Sequence, residues 1–301
     1  RMEQKDFNIL ERDAEGNTAL HFATRNTEGE GIVEMLLHHA DFRADMASLR
    51  GSEGMTPLHN AVEIGHKGVV RMLLAVSEVK TEVNTPDAFG QTPLHAATES
   101  ECSVEIFMML LGGGGVNNNK SDAKKRSVLF LCAGAQNGFR KVRALLSHKD
   151  FDMDSCLQPD VNGQTPLHIA IECRGGLETT RMLLGLPGTR ATVNARDADG
   201  RTALYFALEN LFLRRDPDGL QTVRLLLQRR DLDLTPWTHP GAGEWLSLRD
   251  CVEWEDPVTC RFRVETVRMI LRHPAGVCVN TTDEEQSTWL HHAVKGSNQV
   301  E

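Results

Sequence analysis

Apolar positions along this chain fall into two short phrases that alternate from one end to the other. The first, clearest at 165–170 (TPLHIA), puts Leu167 and Ala170 three residues apart on one face of a helix, with Thr165 as N-cap and Pro166 in the first helical position. Versions of it start at Thr18, Thr56, Thr92, Ser127, Thr165, Thr202 and Thr288, at spacings of 38, 36, 35, 38, 37 and 86. The last gap is two periods, and Leu246 sits where the missing start should be. The second phrase, V-x-x-LL, recurs at 33–37, 70–74, 107–111, 142–146, 180–184, 223–227 and 267–271. It follows its own start by 14 or 15 residues in five units and by 21 in the units from Thr202 and Leu246, which carry insertions including 214–218 and 255–260. Each unit is predicted to be a pair of short helices joined by a tight turn. A pair this small cannot bury its own apolar face, so stability must come from stacking on its neighbours.

Three phrases in fixed order, G-x-TPLH-x-A, V-x-x-LL and then VN before the next turn, resemble the ankyrin repeat over essentially the whole chain. The resemblance implies an all-α solenoid of stacked helix-turn-helix units with β-hairpin or turn connections. It would be a single array over 1–301, with about seven full units and partial ones at each end. The same resemblance implies that the first helix lines a concave face beside the hairpins, and that His21, His59, His95, His168 and His291 use their rings to pin the turns. At the ends, 7–13 fills the slot that 83–87 fills later, and 291–301 reads as a first helix with only the opening of a second. The sequence therefore reads as a fragment of a longer array.

Composition narrows the class further. The chain has 301 residues, 40% hydrophobic and 5% aromatic, with a net charge of -9 and a pI near 5.8. No stretch approaches the ~20 apolar residues of a membrane span, and the best run, 104–111, is a repeat helix. No signal peptide is evident. Seven cysteines without a CxxC pair point to reduced thiols and an intracellular, cytoplasmic or nuclear, protein; Cys102, Cys132, Cys173 and Cys251 fall on repeat helices where buried thiols are expected.

Catalytic signatures are missing: there is no GxSxG, HExxH or Cys/His ladder. The stretch 112–126, GGGGVNNNKSDAKKR, resembles a phosphate-cradling loop only superficially, because Asn119 rather than glycine precedes Lys120. It is expected to be a mobile Gly/Asn-rich hairpin ending in the array's one basic tip, Lys124, Lys125 and Arg126. No cofactor and no metal is expected.

Candidate partner contacts come from column arithmetic. Seven residues after each start stand Arg25, Glu63, Glu99, Gly134, Glu172, Glu209, Glu253 and Lys295, five of the eight being Glu. A row of carboxylates on the inner wall would share a field and steer a basic peptide or protein segment, while disfavouring nucleic acid. The other turn tips are mostly acidic, at Asp13, Glu15, Glu53, Asp87, Asp160, Asp197 and Asp199, but Asp before Gly is also plain turn chemistry. Phe89 has no turn role in its tip, and Trp237, Trp245 and Trp254 cluster near the insertion at 255–260; Phe89, Trp237 and Trp254 are the aromatic contacts to expect. Arg71, Arg143, Arg181, Arg224 and Arg268 recur on the second helix and read as structural cations near helix C-termini. The expected function is non-enzymatic binding of a protein partner, with no membrane role. Two alternatives are the sensor or scaffold arm of a larger signalling protein and an unusual enzyme built on the repeats.

Overall fold

The structure, a computed structural model, describes residues 9, 11–99, 104–136, 138–173, 175–212, 214, 216–234, 265–266, 268–270 and 272–273. Of the unit starting at Leu246 only residues in 265–273 are described, and the unit starting at Thr288, with Cys102, Cys251 and His291, lies outside the described residues. Two compact units divide the chain, Arg1–Val161 and Asn162–Glu301.

In the first unit, four helix pairs follow the predicted register: α1 (Ala19–Arg25) with α2 (Glu30–Leu37), α3 (Pro57–Ile64) with α4 (Lys67–Ala75), α6 (Pro93–Glu99) with α7 (Val104–Gly112), and α8 (Val128–Gly134) with α9 (Phe139–Leu146). Two short helices, α5 (Ser77–Glu82) and α10 (Met153–Cys156), occupy the connections. The first helices stack α1 on α3, α3 on α6 and α6 on α8. The second unit repeats the arrangement with α11 (Pro166–Glu172) and α12 (Leu177–Leu184), a one-turn α13 (Thr189–Thr192), then α14 (Ala203–Phe212) and α15 (Gly219–Leu227). Among the described residues the β pairing in the connections is limited to isolated antiparallel bridges, Ser121 with Ser127 and Arg196 with Thr202.

The apolar phrases supply the core. Leu58, Leu94 and Leu129 from the first phrase and Leu73, Phe107, Leu110 and Leu145 from the second are fully buried in unit one, as are Leu167, Leu183 and Leu204 in unit two. Burying each is worth roughly 1.5–3 kcal/mol, which no isolated helix pair could collect. Close approach explains the glycine before the second helix. A Cβ added at Gly29, Gly138 or Gly176 would stand 1.9, 1.8 or 1.7 Å from the carbonyl oxygen of Ala23, Cys132 or Ala170.

Polar side chains lock the repeats together at the backbone. His21, His59, His95 and His168 each turn Nδ1 back to the hydroxyl and backbone nitrogen of their own Thr at 2.8 to 3.2 Å. The outer nitrogen of His59 reaches the Gln91 carbonyl of the next repeat at 3.1 Å, and that of His21 reaches the Leu49 carbonyl at the same distance. Burial pushes all four imidazoles below their usual pKa, that of His59 to about 4. Phe130 replaces His in the degenerate fourth repeat. There the Ser127 hydroxyl takes over by donating to the Cys156 carbonyl at 2.8 Å.

Asparagine forms a second ladder. The Asn119 amide donates to the Asp150 carbonyl at 2.8 Å and accepts from the Asp152 N–H at 2.9 Å. Asn84 does the same with Gly115 and Asn117, and Asn194 with Asp231 and Asp233. The stretch expected to be a mobile Gly/Asn-rich hairpin is therefore tied down: Asn118 is fully buried beside His148, and Lys120 donates to the Asn84 carbonyl at 3.1 Å. The asparagines that look like flexible filler satisfy backbone groups of the adjoining repeats.

Candidate partner-binding surface

The four described glutamates of the column, Glu63, Glu99, Glu172 and Glu209, lie in the last or penultimate turn of the first helices, and they differ in what surrounds them. Glu63 is exposed near the end of α3. Glu99 is the last residue of α6. In unit two, Glu172 at the end of α11 and Glu209 on α14 share one cation: Arg214 approaches them at 3.7 and 3.5 Å and also donates to the Glu172 backbone carbonyl. Arg214 belongs to the insertion after α14, so the extra residues of this unit bring a guanidinium onto two of the carboxylates. Glu253, Trp237 and Trp254 lie outside the described residues.

Hairpin tips are built by one repeated device. The leading Asp folds its carboxylate back on the turn: Asp13, Asp87, Asp122 and Asp197 each accept two backbone N–H groups at 2.8 to 3.0 Å. Asp87, Asp122, Asp160 and Asp197 are buried while Asp13 stays exposed, and Glu15, Glu53 and Asp199 are further exposed acids on the tips. The tips are also joined to each other. In unit one the carbonyls of Glu53, Phe89 and Lys124 accept from the N–H groups of Ala88, Ala123 and Val161 at 2.7, 2.9 and 3.0 Å. A Cβ on Gly90, whose φ is +78°, would meet the Ala123 nitrogen at 2.7 Å. Turn geometry and close approach both demand glycine there.

Phe89 is 56% exposed on this ridge, and Val161, two tips further along, is 54% exposed. Between them Lys124 and Lys125 are exposed, while Arg126 is held by Asp122 through Nε at 2.8 Å. Lys125 has φ +61° in the slot that Gly16, Gly90, Gly163 and Gly200 fill in other tips. Sequence reasoning noted the basic tip and Phe89 separately. It missed Val161, and missed that backbone bonds place all of them on consecutive rungs.

The second-helix arginines Arg71, Arg143, Arg181, Arg224 and Arg268 are exposed. Among the described residues Arg181 pairs with Glu178 at 3.6 Å and Arg224 with Glu265. Cys132 and Cys156 are buried free thiols, and burial pushes that of Cys156 up to about 12. Cys173 is only half-buried, because it is the C-cap of α11 rather than part of its buried face. Among the described residues no group of three or more His, Cys, Asp or Glu side chains is placed to hold a metal, and no helix is long and apolar enough to cross a membrane.

Stacked helix pairs with pinned turns and an exposed row of tips define a repeat array of the ankyrin class. The family description "Ankyrin repeats (3 copies)" matches residues 31–122, 101–194 and 129–236, and "Ankyrin repeat" matches 15–46; the chain belongs to the ankyrin-repeat family. As such an array it is a protein-interaction module. It is 26% identical over 249 residues to NF-kappa-B inhibitor zeta of Bos taurus, covering 73% of this chain and 33% of that protein. It is 28% identical over 159 residues to rabankyrin-5 of Mus musculus, covering 52% and 13%, and 31% identical over 156 residues to inversin of Canis lupus familiaris, covering 51% and 14%. The chain spans about a third or less of the length of these relatives.

Proposed function

We propose that the chain, as one array over 1–301, binds a protein or peptide partner carrying a basic or mixed segment and catalyses no reaction. The observation that carries this reading is the division of labour within each repeat. Thr, His, Asp and Asn spend their polar atoms on the backbone of their own and adjoining repeats, leaving the inner-helix ends and the tip residues between them to face outward. Glu63, Glu99, Glu172, Glu209 and Glu253 are the candidate contacts for basic groups, and Phe89, Trp237 and Trp254 the candidate apolar anchors. The net charge of -9 opposes binding of nucleic acid, and the reduced, buried Cys132 and Cys156 suit an intracellular setting.

A fluorescence titration with a labelled Lys/Arg-rich peptide tests this directly. Changing the five glutamates together to Gln is expected to weaken binding by about ten-fold, given exposed pairs worth roughly 0.2–1 kcal/mol each. Equal affinity for the parent and the Gln variant removes the glutamate column from the reading. A second reading, that the array is the recognition arm of a longer signalling protein, is favoured by the small share of each relative that it spans. The mass of the natural full-length product decides it.

A further inference from the structure

The tip ridge of the first unit has a chemistry opposite to that of the glutamate column. Lys124 and Lys125 sit side by side on one tip, exposed, in a chain whose net charge is -9. The acids nearest to them in sequence and on the adjoining tips are already committed: Asp122 to Arg126 and to two backbone N–H groups, Asp87 to the N–H groups of Phe89 and Gln91, and Asp160 to a buried position. The lysine pair therefore presents its charge outward. On the rungs either side stand Phe89 and Val161, each more than half exposed, and backbone hydrogen bonds of 2.9 and 3.0 Å fix the order Phe89, Lys124, Val161 along the ridge.

Lys125 adds an independent sign. The other Asp-led tips have Gly16, Gly90, Gly163 and Gly200 at this position, whereas here the chain holds a lysine at φ +61°; Glu53, in the tip at 51–54, is the other described non-glycine residue with positive φ. A bulky L-residue in the left-handed region is disfavoured, so the fold alone does not ask for it. What the residue contributes is a second cation beside Lys124.

We propose that this ridge docks an extended acidic peptide segment of a partner protein, its carboxylates on Lys124 and Lys125 and an apolar side chain against Phe89. The inference rests on the reading of the chain as a protein-binding array, and it adds the sign and the order of what this face reads. Packed helices of adjacent repeats lie about 8–10 Å apart and an extended chain rises ~3.3 Å per residue, so the segment passes from one tip to the next in about three residues. The matching motif is an apolar residue with Asp or Glu about three residues away, on the side that reaches Lys124. Val161 extends the apolar surface past the lysines.

Selection from a random-peptide display library on the immobilised full chain tests this without assuming a partner. The recovered clones are then titrated as free peptides against the parent, Phe89→Ala, and the double variant Lys124→Glu with Lys125→Glu. The expected result is a class of clones with an acidic residue about three positions from an apolar one, weakened about ten-fold or more by each ridge variant. All these substitutions are at exposed positions, and Lys125→Gly, which relieves the left-handed conformation, separates lost binding from lost folding: it too should weaken the same clones. The proposal is overturned by clones that bind the ridge variants as well as the parent, by clones that are uniformly basic, or by recovery of none. The five-glutamate Gln variant keeps the two readings apart. Basic clones lost only on that variant, with no acidic class recovered beside them, support the glutamate column and sink the ridge; acidic clones lost only on the ridge variants support the ridge.

Discussion

Lys125 carries a conformational cost that glycine at the same position would not. A left-handed L-residue is disfavoured by roughly 1–2 kcal/mol, and replacing it with glycine gives back about 0.4–1 kcal/mol through the freer unfolded chain. Lys125→Gly should therefore raise stability by about 0.5–1 kcal/mol, read as a higher urea midpoint with an unchanged slope. No gain would mean that the lysine makes a compensating contact in the folded state. His59 is the opposite case, a residue the fold cannot spare. Buried and hydrogen-bonded, it has a pKa of about 4 in the folded chain against 6.5 ordinarily. The unfolded chain takes up this proton first as pH falls, so the stability contributed by the neutral ring is complete above pH 6.5 and is lost between there and about pH 4. His21, His95 and His168 shift in the same direction, and their losses add. Urea midpoints taken at successive pH values should fall through this window, and His59→Asn should flatten the decline while lowering the plateau.

At the scale of elements, the turn between paired helices sets the tolerance to change. A methyl group at Gly176 would stand 1.7 Å from the Ala170 carbonyl oxygen, so Gly176→Ala must shift backbone and should cost about 1–3 kcal/mol. Gly31, inside α2, has nothing within 4 Å of an added Cβ, so Gly31→Ala should gain about 0.5–1 kcal/mol from helix propensity alone. Thermal unfolding of the two variants side by side checks both signs. The contrast marks how far the sequence was legible. Helix positions and caps follow from local spacing and the pinning role of the histidines from the family resemblance, and the structure pairs Thr56 with His59 and Thr165 with His168 accordingly. The asparagine ladder and Arg214 were not legible. Asn119 finds its partners at 150 and 152, and Arg214 finds Glu172 across 42 residues; only the stacking of repeats decides such meetings. Column counting gave the positions of Glu172 and Glu209 correctly, but not the cation between them, because that cation sits in an insertion with no counterpart in other repeats.

Across the whole molecule two electrostatic scales compete, and they should be separable by salt. The net charge of -9 acts on any ligand at a distance, attracting cations and repelling anions until screened, and the Debye length shrinks from roughly 20 Å to about 5–6 Å between 20 and 300 mM salt. A basic peptide approaching the glutamates feels long-range and local attraction of the same sign. Its association rate constant should fall steeply over that range, as electrostatically steered encounters do. An acidic peptide approaching Lys124 and Lys125 meets repulsion from the whole and attraction from the tip. Salt weakens both, so its association rate should change little while its dissociation speeds up as the local pairs are screened. Arg214 refines the expectation: Arg214→Gln frees Glu172 and Glu209 from their shared cation and should steepen the salt dependence for the basic peptide only. Stopped-flow measurements with the two peptide classes decide the matter. An acidic peptide whose association slows with salt as sharply as the basic one would mean that the lysine tip, and not the acidic bulk of the array, dominates the field it crosses.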